Sequence, residues 1–454
     1  MALADSRWQR TTLFCAMYVA QGIPWGFMLI TLPSFLSANF HVGDKAIGTL
    51  KGIILVPWSF KLIWAPLMET FTVPSMGRRR PWIIAAELMM AVTLLGLLVA
   101  TGGDYDITIL CVMYFVHNCF ASLQDVCTDA LAVDILPAEE QGRMNGLMWG
   151  SKLIGKGVGA AVLAYILERW GLEICVLVQF SILIGLMMFP LFFIERAGDK
   201  FLPWSPGSTM TSSTISVPTP RDYLRSFSRA YGLPTLQVFV VFTVFKLIAS
   251  GINEVATNTL YTQHLGWSAV QYSTVAGMYV LLPQMAFAVF GGFLADRIGR
   301  RKVMIIGFGG YGILAMIFAA LPGLWTNRIF ASAYVIACEG LLAAGSVGFL
   351  SMAMRLSWTQ AAATVFTTLM TLSNVGHVVG NFVAGYVRDF FKVLAGSGAS
   401  ELPSYALTFW FVGVASFVPL VLLLWVRPSQ VDEAKKQEME THKRQVNTAA
   451  PLYP

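Results

Sequence analysis

Gly292-Phe293-Leu294-Ala295-Asp296-Arg297-Ile298-Gly299-Arg300-Arg301-Lys302 stands between two long apolar runs. Such a dense cationic turn has to lie outside the hydrocarbon of a bilayer, because each charge at the bilayer centre costs roughly 2.5–3.5 kcal/mol. A degenerate copy occurs in the first half, where Ala65-Pro66-Leu67-Met68-Glu69 is followed by Gly77-Arg78-Arg79-Arg80. Two related loops about half a chain apart indicate a duplicated membrane carrier.

The composition independently excludes an ordinary soluble protein. Of the 454 residues, 56% are hydrophobic and only 12% are charged, and the mean hydropathy is +0.64. A soluble chain of this length cannot bury so many apolar side chains, whereas lipid accommodates them. The apolar runs are long and lack the alternation of an outer-membrane barrel, so the predicted fold class is an all-α polytopic membrane protein.

The apolar runs, divided at roughly 20 residues per span, predict about twelve transmembrane helices in two pseudo-symmetric six-helix bundles. The widest gap between spans is predicted to be a linker, because it contains Pro203-Trp204-Ser205-Pro206-Gly207 and a polar run. The predicted domains are a first bundle at 1–194, the linker at 195–232, a second bundle at 233–427 and a tail at 428–454. The predicted spans are 11–36, 44–68, 81–101, 107–136, 144–168, 172–194, 234–262, 268–295, 303–323, 328–355, 359–387 and 404–426.

The placement of positive charge predicts the orientation of these spans. Most loop cations fall on one side, whereas the other side has only Lys45, Arg169, Arg328, Arg388 and Lys392. Because cytoplasmic loops are enriched in Lys and Arg, the side rich in cations is predicted to be cytoplasmic. With an even number of spans, both termini are then cytoplasmic. The net charge of +6 reflects this asymmetry and requires no nucleic-acid partner.

Several other classes of protein lack support in the sequence. The six cysteines and five histidines show no metal-ligand spacing, so neither a metal site nor another cofactor is predicted. An ATP-driven pump is disfavoured because the chain has no G-x-x-x-x-G-K-[ST] loop. A membrane-embedded acyl transferase would need a nucleophile and a base, and no such constellation is found, so no enzyme is predicted. A non-transporting receptor would not need paired acidic residues at bilayer depth.

Such a pair is present on the fourth predicted span. Asp125 and Asp129 are four residues apart and share one helical face with Asn118. Two carboxylates so close together in a low-dielectric cleft resist ionising at the same time, which suits a carrier of protons. Lys152 and Lys156 on the fifth span are stacked in the same way, and either neutralise these carboxylates or bind an anionic substrate. A purely structural network of ion pairs is the alternative.

Three sets of residues are therefore predicted to form the site. Trp25 and other tryptophans of the first two spans are candidates to stack on a ligand, although packing or anchoring at the interface is the favoured explanation for each taken singly. The proton-coupling residues are Asp125 and Asp129, and the substrate-binding residues are Gln21, Trp25, Lys61, Asn118, Gln124, Lys152, Lys156, Lys246, Glu254 and Glu339. The gating residues are Glu69, Arg78, Asp134, Arg143, Asp296, Arg297, Arg300 and Arg301.

Glycines recur at matching places in the two halves. The fifth span carries Gly155 and Gly159, and the eleventh carries Gly376 and Gly380. Small residues four apart allow helices to approach closely. A carrier has to slide or rock at such interfaces, but static packing uses them as well, and both interpretations stay open.

Two motifs resemble known transporter families. The pattern G-x-x-x-D-R-x-G-R-R that begins at Gly292 resembles the signature loop of major facilitator transporters. Lys61-Leu62-Ile63-Trp64-Ala65-Pro66-Leu67 and the segment from Ser122-Leu123-Gln124-Asp125 to Asp134-Ile135-Leu136-Pro137 resemble the AmpG muropeptide permease family. That family also includes acetyl-CoA transporters and siderophore importers. Phe245-Lys246-Leu247 and Glu339 are weaker points of similarity.

This resemblance implies a proton-driven importer of the inner membrane that brings anhydromuropeptides into the cytosol. Asp125 and Asp129 match acidic residues regarded as functional in the family. The expected partners are a small-molecule substrate, protons and the lipid bilayer, and the expected unit is a monomer. A siderophore importer of the same family and a proton-linked exporter of drugs or metabolites remain alternatives.

Overall fold

The computed structural model describes residues 2–64, 67–68, 71, 73–101, 105–202, 228–357, 362–396, 401–434 and 436. Within these ranges, nine helical segments are long and apolar enough to cross a bilayer. One of them, Glu140–Phe192, contains two helices that meet at Gly171, whose φ of 81° breaks the helical path. Two further helices, one that begins at Asp44 and one at Ala362–Ala395, make twelve in the described part of the chain, the number predicted.

The helices lie at the predicted spans, but their ends differ from the predicted ones by up to eight residues, and the α-helical part of the span predicted at 44–68 ends at Leu55. In chain order, α1 is Arg7–Phe40, α2 begins as Asp44–Leu55, α3 begins as Arg80–Leu95, α4 is Ile107–Ile135, and Ala138–Phe192 supplies α5 before Gly171 and α6 after it. The second half comprises α7 (Pro234–His264), α8 (Ala269–Ile298), α9 (Arg300–Ala320), α10 (Arg328–Leu356), α11 (Ala362–Ala395) and α12 (Leu402–Leu422).

Helices α1–α6 and α7–α12 form two bundles with matching internal packing. In the first bundle, a Cβ atom added at Gly155 or Gly159 of α5 would collide with carbonyl oxygens of α1. In the second bundle, Gly376 and Gly380 of α11 meet carbonyl oxygens of α7 in the same way. The glycines predicted from their spacing therefore bring each pair of backbones into direct contact.

Several helices lose regular geometry near mid-membrane. The α-helical part of α1 continues through Pro24 to Gly26 and then widens into a π-helical turn at Phe27–Thr31. Helix α2 tightens into a 3-10 turn at Val56–Ser59, where Pro57 lacks a backbone donor. Such local departures free or reorient backbone groups, and they commonly occur beside functional sites.

The two bundles contact each other mainly on one side of the membrane. We call the side that holds Arg7, Arg80 and Arg301 the basic side, and the other the opposite side. On the opposite side, the buried Arg388 Nε of α11 lies 3.2 Å from Asp44 Oδ2 of α2. The hydrogen bonds and ion pairs that join a described residue of one bundle to a described residue of the other lie on the opposite side or near mid-membrane.

Candidate proton and substrate site

The first bundle contains a buried carboxylate held by two lysines. Asp125 on α4 is only 4% exposed, and its Oδ2 accepts a hydrogen bond of 3.2 Å from Lys61 Nζ. Lys152 Nζ of α5 lies 3.7 Å from Asp125 Oδ1. Three helices therefore bring their charged side chains to one point, and the charge of Asp125 is compensated inside the bundle.

Asp129 lies one helical turn nearer the basic side and has a different environment. Its side chain is exposed, whereas that of Asp125 is buried. Tyr18 of α1 donates its hydroxyl to Asp129 Oδ1 over 2.5 Å. Helix α4 thus presents one exposed carboxylate and, four residues away, a buried one.

Lys152 connects the carboxylates to polar and aromatic neighbours on α1 and α2. Its Nζ donates to Gln21 Oε1 over 2.9 Å, and Gln21 Nε2 donates to Gln124 Oε1 over 2.5 Å. The ammonium also lies 4.5 Å from the ring centroid of Trp58 and 5.3 Å from that of Trp25. Electron-rich ring faces stabilise a partly desolvated cation, so the two rings offset part of the cost of burying this ammonium.

The tryptophans of this region are held by specific contacts. Trp58 Nε1 donates to Asn118 Oδ1 over 3.1 Å, and Trp64 Nε1 donates to Ser122 Oγ over 2.7 Å. Trp25 packs edge-on against Trp58 with 4.9 Å between ring centroids. Asn118 therefore orients an aromatic ring, and its hydrogen bonds go to Trp58, Met28 and Tyr114 and not to Asp125 or Asp129.

A second polar region lies between the bundles, in a cavity of about 250 Å³. Lys51 of α2 reaches across to Glu254 of α7, with 3.3 Å between Nζ and Oε2. Lys156 of α5 reaches across to Glu339 of α10, with 4.0 Å between Nζ and Oε2. All four side chains line the cavity together with Trp25. Lys156 thus pairs with the second bundle and not with Asp125 or Asp129, which corrects one of the two roles predicted for it.

Neutral groups and a histidine complete the surroundings of these glutamates. His377 Nε2 of α11 lies 3.0 Å from Glu254 Oε1, and Gln284 Nε2 of α8 donates to Glu339 Oε2 over 3.2 Å. Each carboxylate therefore has one partner in the first bundle and one in its own. His377 was not predicted, because its neighbour in this contact is 123 residues away in the chain.

Lys246 lies apart from both groups, inside the second bundle. Its Nζ donates to Ser373 Oγ over 2.8 Å and lies 4.0 Å from the ring centroid of Phe349. Lys246 occupies the same place on α7 that Gln21 occupies on α1, as the matched glycine contacts of the two bundles indicate. No carboxylate pairs with Lys246 among the residues that the structure describes. Its predicted contact with substrate therefore remains a prediction.

The predicted gating residues are dispersed over the basic side. Asp134 pairs with Arg79, with 3.0 Å between Oδ2 and Nε, and not with Arg143, which is exposed. Arg78 is partly buried. Asp296 and Arg297 are exposed, whereas Arg300 and Arg301 are partly buried; of these four, Asp296, Arg300 and Arg301 line a surface cavity of about 900 Å³. Glu69 lies outside the described residues.

Some residues of the site could not be found from the sequence. Tyr18, Asp44 and Arg388 carry no motif, and each contacts a residue more than 100 positions away. Tyr18 precedes Gln21 by just under one helical turn, which was the only available signal. The sequence identified Arg388 only as one of the few cations predicted on the side with little positive charge, which is the opposite side of the structure.

Comparisons with known proteins agree with this architecture. Residues 235–452 match the family model of the Major Facilitator Superfamily, and residues 21–242 match that of the BT1 family. Each match covers just under half of the chain, and together the two matches indicate the major facilitator fold. The chain is an integral membrane transporter of a small-molecule substrate, which agrees with the prediction that it is not an enzyme.

Relatives and solved structures support the same assignment. The chain is 25% identical to the anhydromuropeptide permease of Escherichia coli over 92% of its own length and 79% of that protein. A mutant of the nucleoside transporter NupG shares the fold with a TM-score of 0.69 and 13% identity, covering 92% of this chain and 99% of the other. The structure of a bacterial homolog of the human lysosomal transporter Spinster, in an inward-facing and unoccupied conformation, has a TM-score of 0.65 and 14% identity. This match covers 92% of this chain and 96% of the other.

Proposed function

We propose that this transporter is a proton-coupled importer of a small anionic solute in the inner membrane, with both termini cytoplasmic. The observation that carries the proposal is the pair of carboxylates on α4, with Asp129 exposed and Asp125 buried between two lysines. The similarity to an anhydromuropeptide permease supports anhydromuropeptides as the cargo. The cavity lies between the two bundles of one chain, so the proposed transporting unit is the monomer.

Coupling follows from the charges around Asp125. In its ionised form this carboxylate compensates Lys61 and Lys152. Protonation removes that compensation, so both ammonium groups gain by binding an anionic group of the cargo. Proton and anion then bind together more strongly than either binds alone, which is the thermodynamic requirement for symport.

The proposed transport cycle alternates two sets of contacts between the bundles. The contact of Asp44 with Arg388 closes the opposite side, which is the periplasmic side in this orientation. Asp129 is exposed in this state, so we assign it as the residue that releases the proton to the cytosol. In the alternate state, we propose that gating residues on the basic side, including Arg78, Asp134 and Asp296, close the cytoplasmic side.

Uptake measured in membrane vesicles tests the proposal. Labelled anhydromuropeptide is added to vesicles that carry Asp125→Asn or Asp129→Asn, with and without an inward pH gradient in which the outside is more acidic. We expect both variants to lose stimulation by the gradient while they retain exchange of cargo across the membrane, because an amide cannot carry the proton. Asp106→Asn is the matched control, since Asp106 caps the exposed start of the same helix and Asn preserves a cap.

The same vesicles distinguish import from export. Unchanged coupling in both α4 variants would remove Asp125 and Asp129 from the mechanism. If an outward pH gradient drives cargo into the vesicles, the wild-type protein exchanges cargo against protons and the proposed direction is wrong.

A further inference from the structure

We propose that Trp58 of α2 and Asn374 of α11 form a joint through which the charge of Asp125 controls closure of the opposite side. In this role Asn374 is a positioning residue that acts through Trp58. The inference rests on the proposed function and deepens it, because it names the contact that transmits the state of the proton site to the other bundle. The proton site here means Asp125 with Lys61 and Lys152.

Asn374 makes a hydrogen bond between the bundles at the point where α2 leaves regular helical geometry. Its Nδ2 donates to the carbonyl oxygen of Trp58 over 3.3 Å. This carbonyl belongs to the 3-10 turn Val56–Ser59, and a 3-10 turn within a longer helix often marks a hinge. Because the contact is made with the backbone of Trp58, any shift of the turn changes it directly.

The ring of Trp58 lies beside the cations of the proton site. The Nζ atoms of Lys152 and Lys61 lie 4.5 Å and 5.9 Å from the ring centroid. The indole Nε1 donates to Asn118 Oδ1 over 3.1 Å, and the residue is only 5% exposed. One buried residue therefore contacts the proton site through its ring and the second bundle through its backbone.

Neutralisation of Asp125 changes the forces on this ring. The charged groups around Asp125 are Lys61, Lys152 and, on its own helix, Asp129. The ionised carboxylate holds the two ammonium groups together, and without its charge they repel each other across a buried site that water screens poorly. Because both ammonium groups lie beside the Trp58 ring, their separation displaces the ring and draws the turn away from α11.

The two helices that meet at this joint also hold the seal on the opposite side. Helices α2 and α11 pack backbone to backbone, since a Cβ atom added at Gly48 would collide with the carbonyl oxygen of Asn381. Farther along the same pair, Asp44 of α2 contacts Arg388 of α11. Packed interfaces switch between arrangements as units, so a shift at Trp58 acts on the whole pair of helices. We therefore expect the neutral form of the α4 carboxyl group to favour opening of the seal.

Disulfide formation in the purified, full-length protein measures closure of the seal without cargo or a pH gradient. Ser37→Cys with Thr262→Cys reports the closed state, because the native hydroxyl oxygens are 2.8 Å apart. Mass spectrometry of the joined peptides gives the rate under a fixed oxidant. Asp125→Asn supplies the neutral group. We expect this substitution to slow cross-linking roughly fivefold or more, as is typical of two coupled sites.

Two variants interrupt the joint from its two ends. Asn374→Leu removes the donor, and Trp58→Leu removes the ring but keeps the carbonyl oxygen. In either background we expect Asp125→Asn to change the cross-linking rate by less than about twofold, as for independent sites. Asn381→Leu is the matched control, because that amide lies on the same helix and donates within it to the carbonyl oxygen of His377. The control should keep the full response, and thermal unfolding shows that each variant is folded.

The comparison of backgrounds separates a joint from a purely structural contact. Loss of a structural contact changes the rate of both forms alike and leaves the response to Asp125→Asn intact. A full response in either the Asn374 or the Trp58 variant would therefore overturn the inference. Cross-linking that Asp125→Asn leaves unchanged or accelerates would also overturn it.

These outcomes do not depend on the uptake measurements. If the joint behaves as expected while uptake ignores the pH gradient, the inference is supported and proton coupling is refuted. If uptake follows the gradient while the response persists without Asn374, proton coupling is supported and the joint is refuted.

Discussion

Lys152 contacts a carboxylate, an amide and aromatic rings at the same time. It approaches Asp125, donates to Gln21 and lies over the rings of Trp25 and Trp58. The Lys152 ammonium thus connects the buried Asp125 to α1, whose Trp25 lines the cavity. If a cargo anion displaced this ammonium, the electrostatic environment of Asp125 would change directly, because only 3.7 Å separates Lys152 Nζ from Asp125 Oδ1.

Removal of this ammonium is expected to destabilise the folded protein. An uncompensated buried charge costs about 3–5 kcal/mol, and we expect Lys152→Met to cost less than this because Lys61 still contacts Asp125. Adding Asp125→Asn to Lys152→Met should recover part of the loss. Thermal unfolding in detergent measures both effects, with Lys302→Met at the exposed start of α9 as the control. Equal melting temperatures for Lys152→Met and wild type would contradict the assigned charge compensation.

Single helices pair through glycine in both bundles. The partners of Gly155 and Gly159 on α5 are Val19 and Ile23 of α1, and their carbonyl oxygens occupy the space where a Cβ atom would lie. The α7–α11 pair repeats this arrangement in the second bundle. Close approach of backbones at equivalent places supports the duplication that the loop motifs predicted.

The close contacts predict a strong response to one methyl group. Gly159→Ala and Gly380→Ala each insert a Cβ atom against a backbone carbonyl, and overpacking of this kind typically costs about 1–3 kcal/mol. We therefore expect a lower melting temperature and slower transport for both variants. Gly150→Ala is the control on α5, because no atom lies within 4 Å of its added Cβ. If the variants at Gly159 and Gly380 behave like the control, the two helix interfaces can accommodate a methyl group at little cost in stability.

The entire carrier is closed on the opposite side and joined at mid-membrane. Besides the Asp44–Arg388 pair, Asn258 Nδ2 donates to Ser34 Oγ over 2.8 Å, and Thr262 Oγ1 donates to Ser37 Oγ over 2.8 Å. These contacts have to break if the bundles rock to expose the cavity on that side. Alternating access therefore predicts that a covalent link at the same place stops the cycle.

A disulfide at this seal should lock the transporter. The hydroxyl oxygens of Ser37 and Thr262 are 2.8 Å apart, so Ser37→Cys with Thr262→Cys places two thiols within bonding reach. We expect oxidation to reduce uptake to background and reduction to restore it. Each single cysteine variant is the control for oxidation of the native cysteines. Full uptake by the cross-linked protein would show that this side need not open.

Much of the architecture was predictable because the bilayer acts on local sequence. The twelve spans follow from the lengths of the hydrophobic runs. Asp125 and Asp129 were predicted to share one helical face because they are four residues apart. The pairing of Lys156 was not predictable in this way. Its carboxylate partner, Glu339, is on another helix of the other bundle, and no local pattern relates the two.

The sequence by itself determined an all-α membrane protein with a duplicated set of spans, because hydrophobicity and the placement of charged loops are properties of consecutive residues. Only the tertiary structure decided which charges meet: Asp125 with Lys61 and Lys152, and the cavity lysines with glutamates of the other bundle. It also decided that Asp129 is exposed while Asp125 is buried. The physical reason is that pairing and access to water depend on how separate helices pack, and each helix alone is compatible with several partners.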